Sequence, residues 1–381
     1  MLINKNHLTY CMNIHSGNSW NDMLNAIEHY VVPIKQEIAP ATDFGLGLRL
    51  GAEMVSNISE SKIASFKKML SDYDMYVFTV NAFPYGVFHK KPLKKKVYLP
   101  DWGEDDRLIY TKNVAETLAK ILPENINGTI STIPVTYGKN LPSKSIANII
   151  SIAKFLAELD KTTGKKIILT FEPEPDCYIE ATQDTIDFFK LLNKNISEKM
   201  MQYLGICLDT CHFALQFEDP LKAWECFEKN GINVPKIQLS AALRYSPKKT
   251  PSFSSFADSA KNELEKYAED VYLHQTRIKK DSRLFYFHDL SDALKNPEHG
   301  EWRIHFHVPL YKQKYSETLF STSDSMNTNF FAKIAAFSDL HLEIETYSFN
   351  VIPKKEISII KSIEQEYCFI LNKLSTANTN P

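Results

Sequence analysis

No stretch of this sequence approaches the ~20 consecutive apolar residues that a membrane-spanning helix needs. Its first residues, MLINKNHLTYCMNIHSGN, hold no apolar core of signal-peptide length. The expectation is a cytoplasmic protein without membrane insertion. Cysteine is sparse and scattered, at positions 11, 177, 207, 211, 226 and 368, with no CxxC pair. Cys207 and Cys211 stand roughly 13 Å apart on an extended strand, too far for a disulfide, so reduced core thiols are expected. Net charge is also lacking: 44 Lys and Arg against 46 Asp and Glu give -2. No global field draws in nucleic acid or an anionic membrane. The basic run Lys90, Lys91, Lys94, Lys95 and Lys96 is local and reads as a solvated loop. Walker A, GxGxxG, GxSxG and HExxH motifs are all missing, as are internal repeats and low-complexity tracts.

What is present is a regular alternation. Apolar, β-rich runs end in polar residues at 8–15, 44–50, 75–83, 128–135, 166–172, 203–212, 234–239 and 340–347. Most are continuous rather than alternating, as parallel strands buried on both faces should be. Helical spacing falls between them, at 62–70, 108–122, 143–159, from Thr182, at 221–228 and at 357–374. Eight strand–helix repeats predict a (β/α)8 TIM barrel, read as one domain over 1–381, with its chemistry at the C-terminal strand ends. Two segments exceed a minimal barrel: a loop over 83–106 and an insertion over 244–303, both placed on the catalytic face. Residues 375–381 are expected to be a disordered tail.

The strand ends carry the chemistry. The sixth run reads Gly205-Ile206-Cys207-Leu208-Asp209-Thr210-Cys211-His212. Asp209 either caps the next helix or supplies a metal oxygen, and His212 either packs in the core or binds metal or substrate. The fifth run ends in Phe171-Glu172-Pro173-Glu174-Pro175-Asp176, where the prolines hold the acids in a stiff turn. Glu172 should point into the barrel mouth as a metal ligand or base, with Glu174 another candidate, unless a salt bridge claims Glu172. On the eighth run alternation puts His341, Glu343 and Glu345 on one face. Glu345 is the preferred ligand, and Glu343 is read as supporting or facing substrate. Trp302–Pro309 is read as alternating too, so that Arg303, His305 and His307 share a face suited to ligation, proton transfer or substrate binding. Gln238 on the seventh run is a neutral oxygen ligand or substrate hydrogen-bonder. Asn81 and His15 complete a polar ring for substrate, although each could equally cap a turn.

This pattern resembles the xylose-isomerase-like TIM barrels, which include ketose epimerases, sugar isomerases and the apurinic endonuclease IV family. GICLDTCHFA is especially similar to the endonuclease form of the strand-six motif. A narrower resemblance covers nearly the whole chain: the EboE family of metabolite-traffic proteins in bacterial ebo gene clusters. It rests on LTYCMNIHSGNSW, YVFTVNAFPYG, VYLPDW, FEPEPDC, CLDTCHFALQFEDP, KIQLSAALR, YLHQ, WRIHFHVPL and HLEIETYSF, in that order. The superfamily resemblance implies Glu172, Asp209 and Glu345 as metal carboxylates, with His212 binding metal or substrate. His307 resembles the second histidine of the endonuclease's Asp-x-His pair, with His305 in place of the Asp. Gln238 stands where a histidine ligand is usual. Asn81 and Pro134-Val135-Thr136 stand where early-strand histidines would complete a trinuclear zinc cluster. The resemblance therefore implies one divalent ion or two, not three. Oxygen-rich ligation favours Mn or Mg, whereas His212 and His307 favour Zn.

The leading expectation is a metal-dependent isomerase or epimerase acting on a sugar, sugar phosphate or cyclitol-like metabolite through an enediolate, with Glu172, Glu345 and Glu174 as acid and base candidates. The alternatives are a non-catalytic metabolite carrier and a metal-dependent phosphoester hydrolase.

Overall fold

The computed structural model describes residues 1–56, 58–88, 93–247, 253–353 and 357–378. Eight strands run parallel: β1 (Asn6–Tyr10), β2 (Phe44–Arg49), β3 (Met75–Asn81), β4 (Gly128–Thr132), β5 (Ile167–Phe171), β6 (Leu204–Asp209), β7 (Lys236–Leu239) and β8 (His341–Ile344). Neighbours pair in chain order from β2 to β8, and β8 pairs back onto β1. A lone parallel bridge from Cys11 to Gly47 spans the remaining seam between β1 and β2. All eight overlap the predicted runs, although the first spans Asn6–Tyr10 against an expected 8–15. Every strand is buried throughout except for a partly exposed Tyr76, which is why the runs read as continuously apolar or small.

Gly47 is there for space. A Cβ at this position would sit 2.2 Å from Glu343 Oε1 and 2.9 Å from Thr9 Cγ2. The missing side chain admits the carboxylate of Glu343 into the barrel interior.

Helices pack outside the strands, among them Glu60–Asp72, Asp105–Ile121, Ser145–Thr163, Thr182–Asn193 and Pro220–Lys229. The final helix, Ile359–Asn378, runs past Leu374, where order was expected to end. Leu374 and Ala377 are buried against the core, and that burial extends it. Residues 379–381 of the expected tail lie outside the described residues.

The insertion after β7 is larger than its predicted limits. It folds into an antiparallel sheet ordered Arg283–Phe287, Thr276–Lys280, Glu301–Ile304, Leu243–Tyr245, Leu319–Ser321. The helix Phe253–Leu264 belongs to the same excursion. The loop after β3 carries a 3-10 turn, Lys94–Tyr98, that brings Leu93, Lys94, Val97 and Tyr98 to the barrel mouth. Lys95 and Lys96 are exposed, as a solvated run should be, while Lys94 is partly buried against Asp289. Lys90 and Lys91 lie outside the described residues.

Candidate metal centre at the barrel mouth

The sixth strand ends in Asp209, and its two oxygens do different things. Oδ1 caps the helix Thr210–Leu215 by accepting the N–H groups of Cys211 (2.8 Å) and His212 (3.2 Å), and also takes the Ser240 hydroxyl at 2.5 Å. Oδ2 is buried and has no hydrogen-bond donor. Cap and ligand are therefore not competing readings of this residue, because each needs one oxygen.

Glu172, one residue beyond β5, and Glu345, one residue beyond β8, bring their carboxylates to the same point. One oxygen from each of Glu172, Asp209 and Glu345 lies within 4.8 Å of the other two. Glu172 Oε2 and Glu345 Oε2 are buried without donors, like Asp209 Oδ2. The other Glu345 oxygen is oriented by Asn13 Nδ2 at 2.7 Å and Asn81 Nδ2 at 3.5 Å. Burial and the neighbouring acids push the Glu172 and Glu345 carboxyls well above the usual range. Burial also works against ionisation of Asp209, but His212, His307 and Ser240 outweigh it and hold its carboxyl below the usual range. Three such groups with orphaned oxygens are stable only with shared protons or a cation among them. The donor set fits a divalent ion.

Beside the acids stand three imidazoles. His212 Nδ1 donates to the Pro173 carbonyl at 2.9 Å, and His307 Nδ1 to the Glu345 carbonyl at 3.0 Å. The tautomer of His305 follows from Gln275. That amide must donate through Nε2 to the Pro175 carbonyl (3.2 Å), which leaves its Oε1 to accept from His305 Nδ1 at 2.7 Å. All three rings thus present an Nε2 lone pair inward. His305 Nε2 lies 3.1 Å from that of His212 and 3.3 Å from that of His307. Burial lowers each imidazole pKa, that of His307 to about 4, so all three are neutral near pH 7. Converging neutral imidazoles, each anchored through its other nitrogen, are the usual preparation for metal ligation.

Glu174 lines the same cavity and accepts the Tyr98 hydroxyl at 2.7 Å. Burial raises its carboxyl to about 8, against the opposing Tyr98 hydrogen bond. The cavity has about 560 Å3 of empty volume counted out to its open mouth.

Four residues expected at the site are elsewhere. His15 follows the turn Met12–Ile14, because the strand stops at Tyr10 rather than running to 15. Its Nε2 meets the Tyr10 hydroxyl at 2.8 Å and its ring stacks on Tyr30. Arg303 does not share a face with His305. The strand stops at Ile304, where a tight turn closes from Phe306 N to Ile304 O, so alternation fails. The guanidinium packs on Phe217, 4.0 Å from the ring centroid, and donates to Glu301 and the Ala214 carbonyl. Gln238 lies inside the barrel in register with Asp209, but its oxygen is taken by the Cys207 thiol. Glu343 is fully buried and paired with Lys236 Nζ at 2.7 Å. Among the described residues, none of these four lines the cavity.

The structure adds Asn13, Tyr98, Gln275 and Tyr347 to the site, along with Cys211, whose Sγ is within 4.8 Å of ring nitrogens of His305 and His307. Asn13 sits two residues before His15, so the right loop was legible but the wrong polar residue stood out.

No family model matches the sequence, and no curated protein matches it. Solved structures do. A xylose isomerase domain protein from Planctomyces limnophilus aligns with TM-score 0.51 at 10% identity, covering 91% of this chain and 93% of that one. The IOLI protein, crystallised with a bound zinc atom, aligns with TM-score 0.50 at 11% identity, covering 97% and 99%. The chain has the xylose-isomerase-like TIM-barrel fold. No described helix is long and apolar enough to cross a membrane.

Proposed function

We propose that this chain is a metal-dependent enzyme of the isomerase or epimerase type, acting on a metabolite with adjacent oxygen functions. The observation that carries it is the meeting of Glu172, Asp209 and Glu345 with one undonated oxygen each. These three residues would hold one divalent ion, and His212 a second, together with His305 and Glu174 or with His307 and Asp209. The IOLI protein, alike in fold, carries zinc. A bound ion would supply Lewis-acid polarisation of a substrate carbonyl.

The protein's own groups do the rest. Asn13 and Asn81 fix the Glu345 carboxylate by donating to one oxygen, which leaves the other free to face a ligand. Glu174 stands apart from the carboxylate trio on the cavity wall, with Tyr98 holding one of its oxygens, and is placed to exchange a proton with a bound substrate. Phe83, Pro84, Phe88, Leu93 and Val97, with Val271–Leu273, keep bulk water from the cluster. The resemblance of nine sequence blocks to the EboE family is what suggests a place in an ebo-type metabolite pathway.

The histidine trio specifically favours a second reading, a two-ion phosphoester hydrolase. The walls oppose it. Lys94 is the lining Lys or Arg among the described residues, and its Nζ is already paired with Asp289 at 2.6 Å. The test is turnover of ketoses, cyclitols and their phosphate esters by metal-stripped and reloaded protein. Activity that survives chelation sinks the metal mechanism, and release of inorganic phosphate in place of isomerisation establishes the second reading.

A further inference from the structure

Above its polar floor the cavity changes character. Phe88, Tyr272 and Tyr347 pack against one another with ring centroids 5.1–5.5 Å apart. Phe83, Leu93 and Val97 continue the wall, and Leu93, Val97 and Tyr347 remain partly exposed at the opening.

Four polar side chains at this wall are committed to neighbours, while the undonated carboxylate oxygens and the Nε2 lone pairs lie on the floor, where the Tyr347 hydroxyl meets His305 Nε2 at 3.4 Å. Asn81 accepts the Phe83 N–H and donates to Glu345, Asn13 donates to Glu345, Tyr98 donates to Glu174, and Lys94 pairs with Asp289. A sugar carries a hydroxyl on nearly every carbon, and each one buried here without a partner would be penalised. An apolar segment would instead displace water from the rings and aliphatic side chains at a gain.

We propose that the substrate is an amphiphile. Its oxygen-bearing head sits on the carboxylate and histidine floor, and a hydrocarbon or aryl body lies along Phe83, Phe88, Leu93, Val97, Tyr272 and Tyr347. This rests on the metal-site reading above and narrows it: an unsubstituted sugar fills only the floor. The second cation has the same role in either case, since both sites face the head.

Hydroxamates separate the two claims, because one chelating head can carry tails of different length. Zinc-loaded full-length protein is titrated calorimetrically with acetohydroxamate and with octanohydroxamate, the latter below its micelle concentration. The longer compound should bind roughly tenfold or more tightly, given partial burial of its extra methylenes. Val97→Asp and Leu93→Asp, both at the partly exposed rim where folding is little burdened, should each collapse that affinity ratio toward one. Equal affinities in the wild type, or a ratio indifferent to both variants, overturn the amphiphile proposal and leave the metal site standing. Absence of zinc-dependent binding by acetohydroxamate itself overturns the metal site, and this proposal with it.

Discussion

His212 and His305 face each other Nε2 to Nε2 across 3.1 Å, and each ring's other nitrogen donates to a carbonyl oxygen. Two lone pairs at that distance repel unless something positive lies between them. With His307 Nε2 3.3 Å from His305, the natural occupant is a zinc-like ion. Metal-stripped protein should therefore take up two zinc equivalents in a calorimetric titration, and His212→Ala should take up one. A wild type that saturates at a single equivalent contradicts the second site.

Gln275 fixes the His305 tautomer without reaching the imidazole nitrogens that face inward. Gln275→Leu should weaken the histidine-held zinc by roughly 10–100-fold, the usual cost of losing such an orienting partner. Competition with a chromophoric chelator reads this directly, and the carboxylate-held ion serves as internal control. Equal weakening of both ions would mean general damage to the barrel mouth.

Much of this was legible in the sequence, for a physical reason. Glu172, Asp209 and Glu345 each stand where an apolar strand ends, and a parallel barrel sends all such ends to one rim. His305 and His307 were recognised, but by an alternation that fails at Ile304. They reach the site because the chain turns after the strand Glu301–Ile304. Arg303, projected by the same alternation, ends against Phe217 and not in the cavity. Gln238 and Glu343 were correctly placed inside the barrel. Their partners Cys207 and Lys236 come from β6 and β7, and cross-strand pairing of that kind is invisible to a residue-by-residue reading.

The Lys236–Glu343 pair is fully buried beneath the site. Lys236→Met should destabilise the fold by about 3–5 kcal/mol, because it strands a buried carboxylate. Adding Glu343→Leu should recover much of that loss, since two apolar residues leave no uncompensated charge. Urea unfolding of the three proteins checks it. A double variant no better than the single would show that Glu343 answers to something other than Lys236.

Glu366, on the final helix, gives a pH signature away from the metal site. Burial raises its carboxyl to about 7, although the Thr346 hydroxyl and Leu310 N–H favour the ionised form. The folded value exceeds the unfolded one, so this contribution is present below pH ~4.5 and is lost as pH rises through ~7. Its size is about 3 kcal/mol. Between pH 5 and pH 8 the wild type should lose stability relative to Glu366→Gln. Parallel urea-midpoint curves for the two proteins would exclude this assignment.

The central claim is that Glu172, Asp209 and Glu345 converge on a cation. Anomalous diffraction at the zinc edge, from crystals grown with stoichiometric zinc, tests it most directly. The expected result is a peak bonded to one oxygen of each carboxylate, lost in Asp209→Asn crystals. A cluster without a peak, its carboxylates joined by shared protons while zinc sits elsewhere, would contradict it.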